Sequence, residues 1–318
     1  MKESQESVRP FPSRRGFFFS SNPLPSLPAL LRRMFFLGIV LAAAASTSAA
    51  DSNPQRIISM APAITETLFV MGAGERVVGV TTFCQWPQEA CSLPRVGGML
   101  NPNLESWIAL QPDLIILQKD SRKLIGHARR LGIPTLAVNM TRLENIFEAF
   151  KRIGQALGDP ASARNLTDRI QAGMAAIRAR RNGISDKRVL LLIADSSDPG
   201  RDLYAVGPST FLGELLEAAG GRNLLTDPLA KYPRLSKEFL IRESPEIIIE
   251  AGPKARLDKQ ALARRMRQWK KFPTVTAVRQ NRIHFIGADY VLIPGPRLLN
   301  IVERFARAIH PDLFKEGE

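Results

Sequence analysis

The sequence predicts an α/β protein of two similar lobes with mostly parallel sheets, joined by one long α-helix. Three observations lead there. First, residues 103–116 (NLESWIALQPDLII) and 236–249 (SKEFLIRESPEIII) repeat each other. In each, a polar N-cap residue precedes a Glu in the first turn of a short amphipathic helix, and then come Pro, an acidic residue and an aliphatic strand. Second, Ala73-Gly74-Glu75-Arg76 and Ala219-Gly220-Gly221-Arg222 each close an apolar helix, over 65–71 and 211–218. The two echoes are offset by 133 and 146 residues (Glu105 to Glu238, Ala73 to Ala219), so the lobes differ by a loop and not in plan. Third, aliphatic runs alternate with amphipathic stretches along the chain, the pattern of parallel strands connected by helices.

The N-terminus comes first in order. Arg32-Arg33, an apolar run over 37–45 and the small residues 46–50 follow the order of a secretory signal, with cleavage expected after Ala50. The run is too short to span a bilayer. No Cys precedes Cys84, so a lipid-anchored Cys at the cleavage site is excluded and an exported, soluble periplasmic protein is expected. Met34 is an alternative start, and Arg14-Arg15 or Arg32-Arg33 offers a twin-arginine route as an alternative to general secretion. The expected organisation is a leader over 1–50, an N-terminal lobe over 51–158, a linking helix over 159–183 and a C-terminal lobe over 184–318.

Residues 1–50 carry six Lys/Arg and two Asp/Glu, so their removal lowers the formal charge from +14 to +10. The remainder is long enough for two real cores. Its basic residues are scattered, and the densest run, 264–271, reads as the solvated face of a helix. No nucleic-acid recognition motif accompanies it.

In the first half, strands are expected over 56–59, 77–81, 114–117 and 135–139, with helices over 65–71, 104–110 and 122–131. The second half gives strands over 189–194, 247–250 and 283–286, and helices over 210–219, 237–242, 258–269 and 296–309. Between the halves, Asp159-Pro160 is an N-cap followed by Pro at the first helical position. From there 161–181 runs to Asn182-Gly183 with Gly173 as its one helix-weakening residue. A helix of ~21 residues is ~30 Å long, enough to brace two lobes and to permit only small relative motion; an ordinary surface helix of one lobe is the alternative.

Cys84 and Cys91 are the two cysteines, with six residues between them, Trp86-Pro87 included; in an oxidising compartment a small-loop disulfide is expected, two free, partly buried thiols being the alternative. No metal site is expected, because His127, His284 and His310 are isolated from the cysteines and from one another. Enzymatic chemistry finds no support either. Residues 72–77 lack the third glycine of a dinucleotide fingerprint, and neither a Walker loop nor a nucleophile elbow is present. Asp195 and Asp198 read as a turn following a strand. No catalytic residue and no cofactor is expected.

Residues 56–68 (RIISMAPAITETL), Gly72-Ala73-Gly74, Val78-Gly79-Val80-Thr81, Trp86-Pro87, Pro94-Arg95-Val96-Gly97-Gly98, Asn103-Leu104-Glu105 and Pro112-Asp113-Leu114-Ile115 resemble the iron-siderophore and cobalamin periplasmic-binding family of ABC importers. The likeness continues through Tyr232-Pro233, Ser236-Lys237-Glu238, Ser244-Pro245 and Gly295-Pro296-Arg297, and within the family the wording is nearest the vitamin B12 branch. The resemblance implies the class III periplasmic-binding fold and a monomer that holds a small molecule between its lobes. It implies as partners a permease dimer with cytoplasmic ATPase subunits. It also implies that Glu105 and Glu238 dock on arginines of the permease. The alternative for this glutamate pair is a favourable helix-dipole position worth ~0.3–1 kcal/mol.

For a corrinoid ligand, Phe83 and Trp86, which follow the second strand, and Tyr232 and Tyr290, at positions where the resemblance implies aromatics, are the cleft candidates, with core packing the alternative for each. Met99 is a polarizable substitute in the loop where some members carry an aromatic platform. That departure leaves a ferric siderophore as the alternative ligand, for which Arg95, Arg234 and Arg297 would supply charge-assisted hydrogen bonds. Haem is disfavoured, because Tyr204, Tyr232 and Tyr290 all lie in the second half and offer no first-lobe axial ligand. An exported enzyme is the distant alternative.

Overall fold

The computed structural model describes residues 53–193, 203–253 and 259–314. The expected leader, with its export signal, and the Asp195/Asp198 turn lie outside the described residues.

The first lobe runs β1 (Ile57–Ser59), α1 (Pro62–Val70), a 3₁₀ turn (Gly74–Arg76), β2 (Val77–Val80), a second 3₁₀ turn (Gln88–Ser92), α2 (Leu104–Leu110), β3 (Leu114–Gln118), α3 (Arg122–Arg130), β4 (Thr135–Val138) and α4 (Leu143–Ala156). After α5 (Pro160–Arg180) the second lobe follows as β5 (Lys187–Ile193), β6 (Leu203–Tyr204), α6 (Phe211–Ala218), β7 (Gly221–Asn223), β8 (Arg234–Leu235), α7 (Lys237–Glu243), β9 (Ile247–Gly252), α8 (Lys259–Trp269), α9 (Thr276–Arg279), β10 (Ile283–Gly287) and α10 (Leu298–Ile309).

The strand orders are β2-β1-β3-β4 and β7-β5-β9-β10, every pairing parallel. Both sheets therefore follow one plan, with the first strand of the lobe between its second and third and the fourth outermost. This is the two-lobe α/β fold that the sequence repeat predicts. A small antiparallel pair, β6 with β8, joins the second lobe alone.

Apolar strands buried on both faces require helices on both sides, and each sheet has them. Outer cores pack Ile58, Ile115, Trp107 and Leu124 in the first lobe and Leu190, Ile248, Leu240 and Trp269 in the second. The inner faces merge. One cluster runs from Ile57, Leu68 and Ile116 through Leu166, Ile170 and Ile177 of α5 to Leu191, Ile249, Ile301 and Phe305.

The linking helix spans 21 residues, its N-terminus capped by Asp159, whose carboxylate accepts from Ser162 N at 3.1 Å. It packs on α4 and on α10. Gly173 sits where Leu299 of α10 presses in, and any Cβ there would collide with the leucine side chain. The glycine thus gives up about 1 kcal/mol of helix propensity for a close helix contact.

Two differences from the sequence expectation stand out. Helix α1 begins at Pro62, three residues before the expected start, with Pro at N1. Helix α4 was not expected at all, although Ile146, Ala149, Phe150 and Ile153 form a buried stripe. Its N-cap position is Arg142, which offers no side-chain acceptor. The cap comes from the other lobe: Glu214 of α6 accepts from Leu143 N at 2.6 Å and from Arg142 Nε at 2.7 Å.

Candidate functional site: an interlobe cleft and two rim helices

The repeated segments fold alike, atom for atom in several places. Asn103 Oδ1 accepts from Ser106 N at 3.0 Å, and Ser236 Oγ accepts from Phe239 N at 3.1 Å, so α2 and α7 start with the same side-chain cap. Both span seven residues and end on a left-handed residue, Gln111 (φ 44°) and Ser244 (φ 40°). The acidic residue that follows reaches back to the lobe's first strand. Asp113 accepts from Gln55 N (2.7 Å) and Arg56 N (3.0 Å), and Glu246 accepts from Arg188 N (2.9 Å). Arg56 and Arg188 then donate to the terminal carbonyls of these helices, at Leu110 O (2.8 Å) and Glu243 O (2.8 Å). Helix ends that would otherwise leave bare carbonyls are closed by this arginine in both lobes.

This scaffold holds Glu105 and Glu238 at the second helical position, both exposed. The Glu238 carboxyl is held below its ordinary value, first by its own backbone amide and then by the Ser236 hydroxyl. It is an ionised group on a rigid mount.

A contact between the lobes centres on Arg297, the residue at the head of α10. Its guanidinium forks onto Glu66 of α1 in the other lobe, Nε to Oε2 at 2.9 Å and Nη2 to Oε1 at 2.5 Å, and reaches Asp289 at 2.7 Å. Trp86 of the first lobe and Tyr290 of the second each lie against it, with ring centroids 4.6 and 4.8 Å from its Cζ. Tyr290 is fixed further by Arg304, whose Nε donates to the phenol oxygen at 2.6 Å. Burial pushes the Glu66 carboxyl above its usual range, against the pull of Arg297. The loops involved follow the C-terminal ends of β1, β2 and β10, the edge where ligands of parallel α/β sheets bind.

Of the expected ligand residues, Trp86 and Tyr290 are thus brought together across the lobes. Phe83 stands 69% exposed beside Gly98, in the same lobe as exposed Met99 and its 89% exposed neighbour Leu100. Tyr232 belongs to the second lobe, between β7 and β8. It lies on the loop held close by the hydrogen bond from Gly207 N to Lys231 O (2.7 Å), and burial raises its phenol pKa, partly offset by a hydrogen bond with Thr210. Met99 and Tyr232 are also related by the 133-residue repeat, each four residues before the cap of its rim helix. A groove of about 760 Å³ between α4 and α5, lined by Glu144, Lys151, Arg164 and Asp168 among others, contains none of these residues and has a charged lining.

The expected Cys84–Cys91 disulfide is not formed; both thiols are free. Cys84 points into the core between Thr65 Oγ1 and Thr81 Oγ1, 3.1 Å from each, while Cys91 lies exposed on the 3₁₀ turn and donates to Gln85 O. Arg95 does the stapling instead. It donates to Thr81 O (3.0 Å), Cys84 O (2.9 Å) and Cys91 O (3.0 Å), drawing the loop after β2 around itself. The siderophore reading needed Arg95 and Arg297 for an anionic ligand; here both guanidinia are engaged within the protein. Arg234 is exposed on β8.

Glu66 escaped notice as a site residue, as did Asp289 and Arg304. A signal existed for Glu66: it is the one charge within the apolar helix 62–70. Among the described residues no group of three or more His, Cys, Asp or Glu is placed to hold a metal ion, and no helix is long and apolar enough to cross a membrane.

Comparisons with known proteins agree with this architecture. The sequence pattern of the periplasmic binding protein family matches residues 57–290. The uncharacterised ABC transporter substrate-binding lipoprotein YvrC of Bacillus subtilis is 31% identical over 271 residues, which cover 83% of this chain and 82% of that one. The vitamin B12-binding protein of Vibrio parahaemolyticus is 26% identical over 259 residues, covering 81% and 90%. Among solved structures, a periplasmic heme-binding protein from Pseudomonas aeruginosa superposes with a TM-score of 0.68 at 26% identity, covering 81% of this chain and 93% of that one. With its two parallel-sheet lobes, its linking helix and its matched rim helices, the chain belongs to the periplasmic binding protein family.

Proposed function

We propose that the chain is the extracytoplasmic substrate-binding protein of an ABC importer, and that it captures a corrinoid between its lobes and delivers it to a membrane permease. The names of its relatives support the importer role and an extracytoplasmic location. An export signal at the N-terminus, cleaved after Ala50, belongs to this reading.

One observation carries the ligand assignment: apolar surface gathers on the loops at the ligand edge of the sheets while the arginines there are already engaged. Phe83, Met99 and Leu100 stand exposed, and Trp86 and Tyr290 both lie against Arg297. A large flat ligand with an apolar face and an amide fringe would desolvate that surface. An anionic siderophore would have to compete with Glu66 and Asp289 for Arg297, and with three backbone carbonyls for Arg95.

Haem is the second reading, because a haem-binding structure is among the similar ones. Tyr232 would be its candidate ligand, but burial raises that phenol's pKa and works against the tyrosinate that ferric iron prefers. Calorimetric titration of residues 51–318 with cyanocobalamin, hemin and a ferric siderophore panel decides the matter. Saturable one-to-one heat with the corrinoid alone is expected; heat with hemin or a ferric chelate alone would replace the assignment.

Docking would use Glu105 and Glu238. The double variant Glu105→Ala/Glu238→Ala should bind ligand normally and fail to support transport, and retained transport would sink this assignment.

A further inference from the structure

We infer that Ile108 and Ile241 are matched apolar anchors through which the two lobes grip a two-fold symmetric partner. This rests on the importer reading above. Large apolar side chains exposed singly are ordinary. Among those of the described residues, however, two pairs are related by the 133-residue repeat: Met99 with Tyr232, and Ile108 with Ile241. The first pair belongs to the ligand loops. The second has no part in them. Ile108 is 58% exposed and Ile241 47% exposed, each three residues after a rim glutamate and hence on the same helix face as Glu105 or Glu238.

Beneath each isoleucine the preceding residue, Trp107 or Leu240, is fully buried, and the shared cap and arginine closure fix both helices. The same carboxylate-plus-isoleucine patch is therefore presented twice on one molecule. The partner it fits carries two equivalent sites, each a basic side chain beside a shallow apolar pocket, as a homodimeric membrane component would supply. The glutamate gives long-range, salt-sensitive attraction, and the isoleucine gives contact free energy that salt does not screen.

The test is binding of the full chain to the permease–ATPase complex of the same organism, reconstituted in lipid nanodiscs, at low and high salt. Each of Ile108→Ala and Ile241→Ala should weaken the complex about tenfold, at both salt concentrations, with cyanocobalamin affinity and unfolding midpoint unchanged. Glu105→Ala/Glu238→Ala should weaken it strongly at low salt and less at high salt. If the isoleucine variants bind as the parent does while the glutamate pair fails, the anchors are overturned and docking stands. If the glutamate pair binds as the parent does, the docking glutamates themselves are wrong.

Discussion

Glu66 and Arg297 are 231 residues apart and meet as a two-bond fork between the lobes. Glu214 and Arg142 form the reciprocal link, with a Nη2 to Oε1 distance of 2.6 Å. In each case the first helix of one lobe sends a carboxylate to the arginine heading the last helix of the other. The duplicated plan thus reaches beyond topology into the contacts that join the halves.

The Glu66 link has a definite pH signature. Burial raises its carboxyl pKa above the ordinary 4.5, so the folded state binds this proton more tightly than the unfolded chain does. Such a group contributes stability that is fully present below its unfolded value and is lost as pH rises through the higher folded value. Glu66→Gln should match the parent near pH 4 and gain on it toward pH 7 in urea unfolding. A gap widening in the parent's favour would mean that the Arg297 pairing outweighs burial.

Removing the second link should act on one helix. Glu214→Ala takes away both the ion pair and the cap at Leu143 N, and should lower stability by about 1–2 kcal/mol. Hydrogen exchange should quicken first in the opening turn of α4. Uniform loosening of the whole second lobe would argue against a local cap.

Trp86 is expected to matter through its face. Trp86→Ala should reduce cyanocobalamin affinity by about 10–100-fold, the consequence of losing about 1.5–3 kcal/mol of aromatic burial, whereas Trp86→Phe should retain most of it. Equal losses in the two variants would place Trp86 in a structural role only.

Arg95→Met removes three charge-assisted bonds from a partly exposed loop and should lower stability by about 2 kcal/mol, with a larger proportional loss in ligand affinity. Cys91→Ser should change neither. A fall in the thermal midpoint with reductant would show that a disulfide forms after all.

How far the sequence reaches depends on where each element keeps its partners. Helices α2, α5 and α7 carry their own caps, Asn103, Asp159 and Ser236, and their expected starts lie within a residue of those observed. Helix α4 borrows its cap from Glu214; the local sign of its start, Thr141 three residues before Glu144, went unread, and the Thr141 hydroxyl bonds Asn139 and Asn145 instead of capping the helix. The cysteines were misjudged for a similar reason. Spacing says that two sulfurs can meet, but Cys84 turns inward toward Thr65 and Thr81 while Cys91 stays at the surface. The matched placement of Glu105 and Glu238 was legible because the whole motif recurs, whereas the Arg297 pairing of Glu66 was not, because that partner lies in the other lobe.

The Arg95 staple also bears on where the first lobe can finish folding. A loop held by a guanidinium on backbone carbonyls takes its shape in reducing and oxidising surroundings alike. The loop after β2 can therefore be completed in either setting, with no oxidase required to finish it.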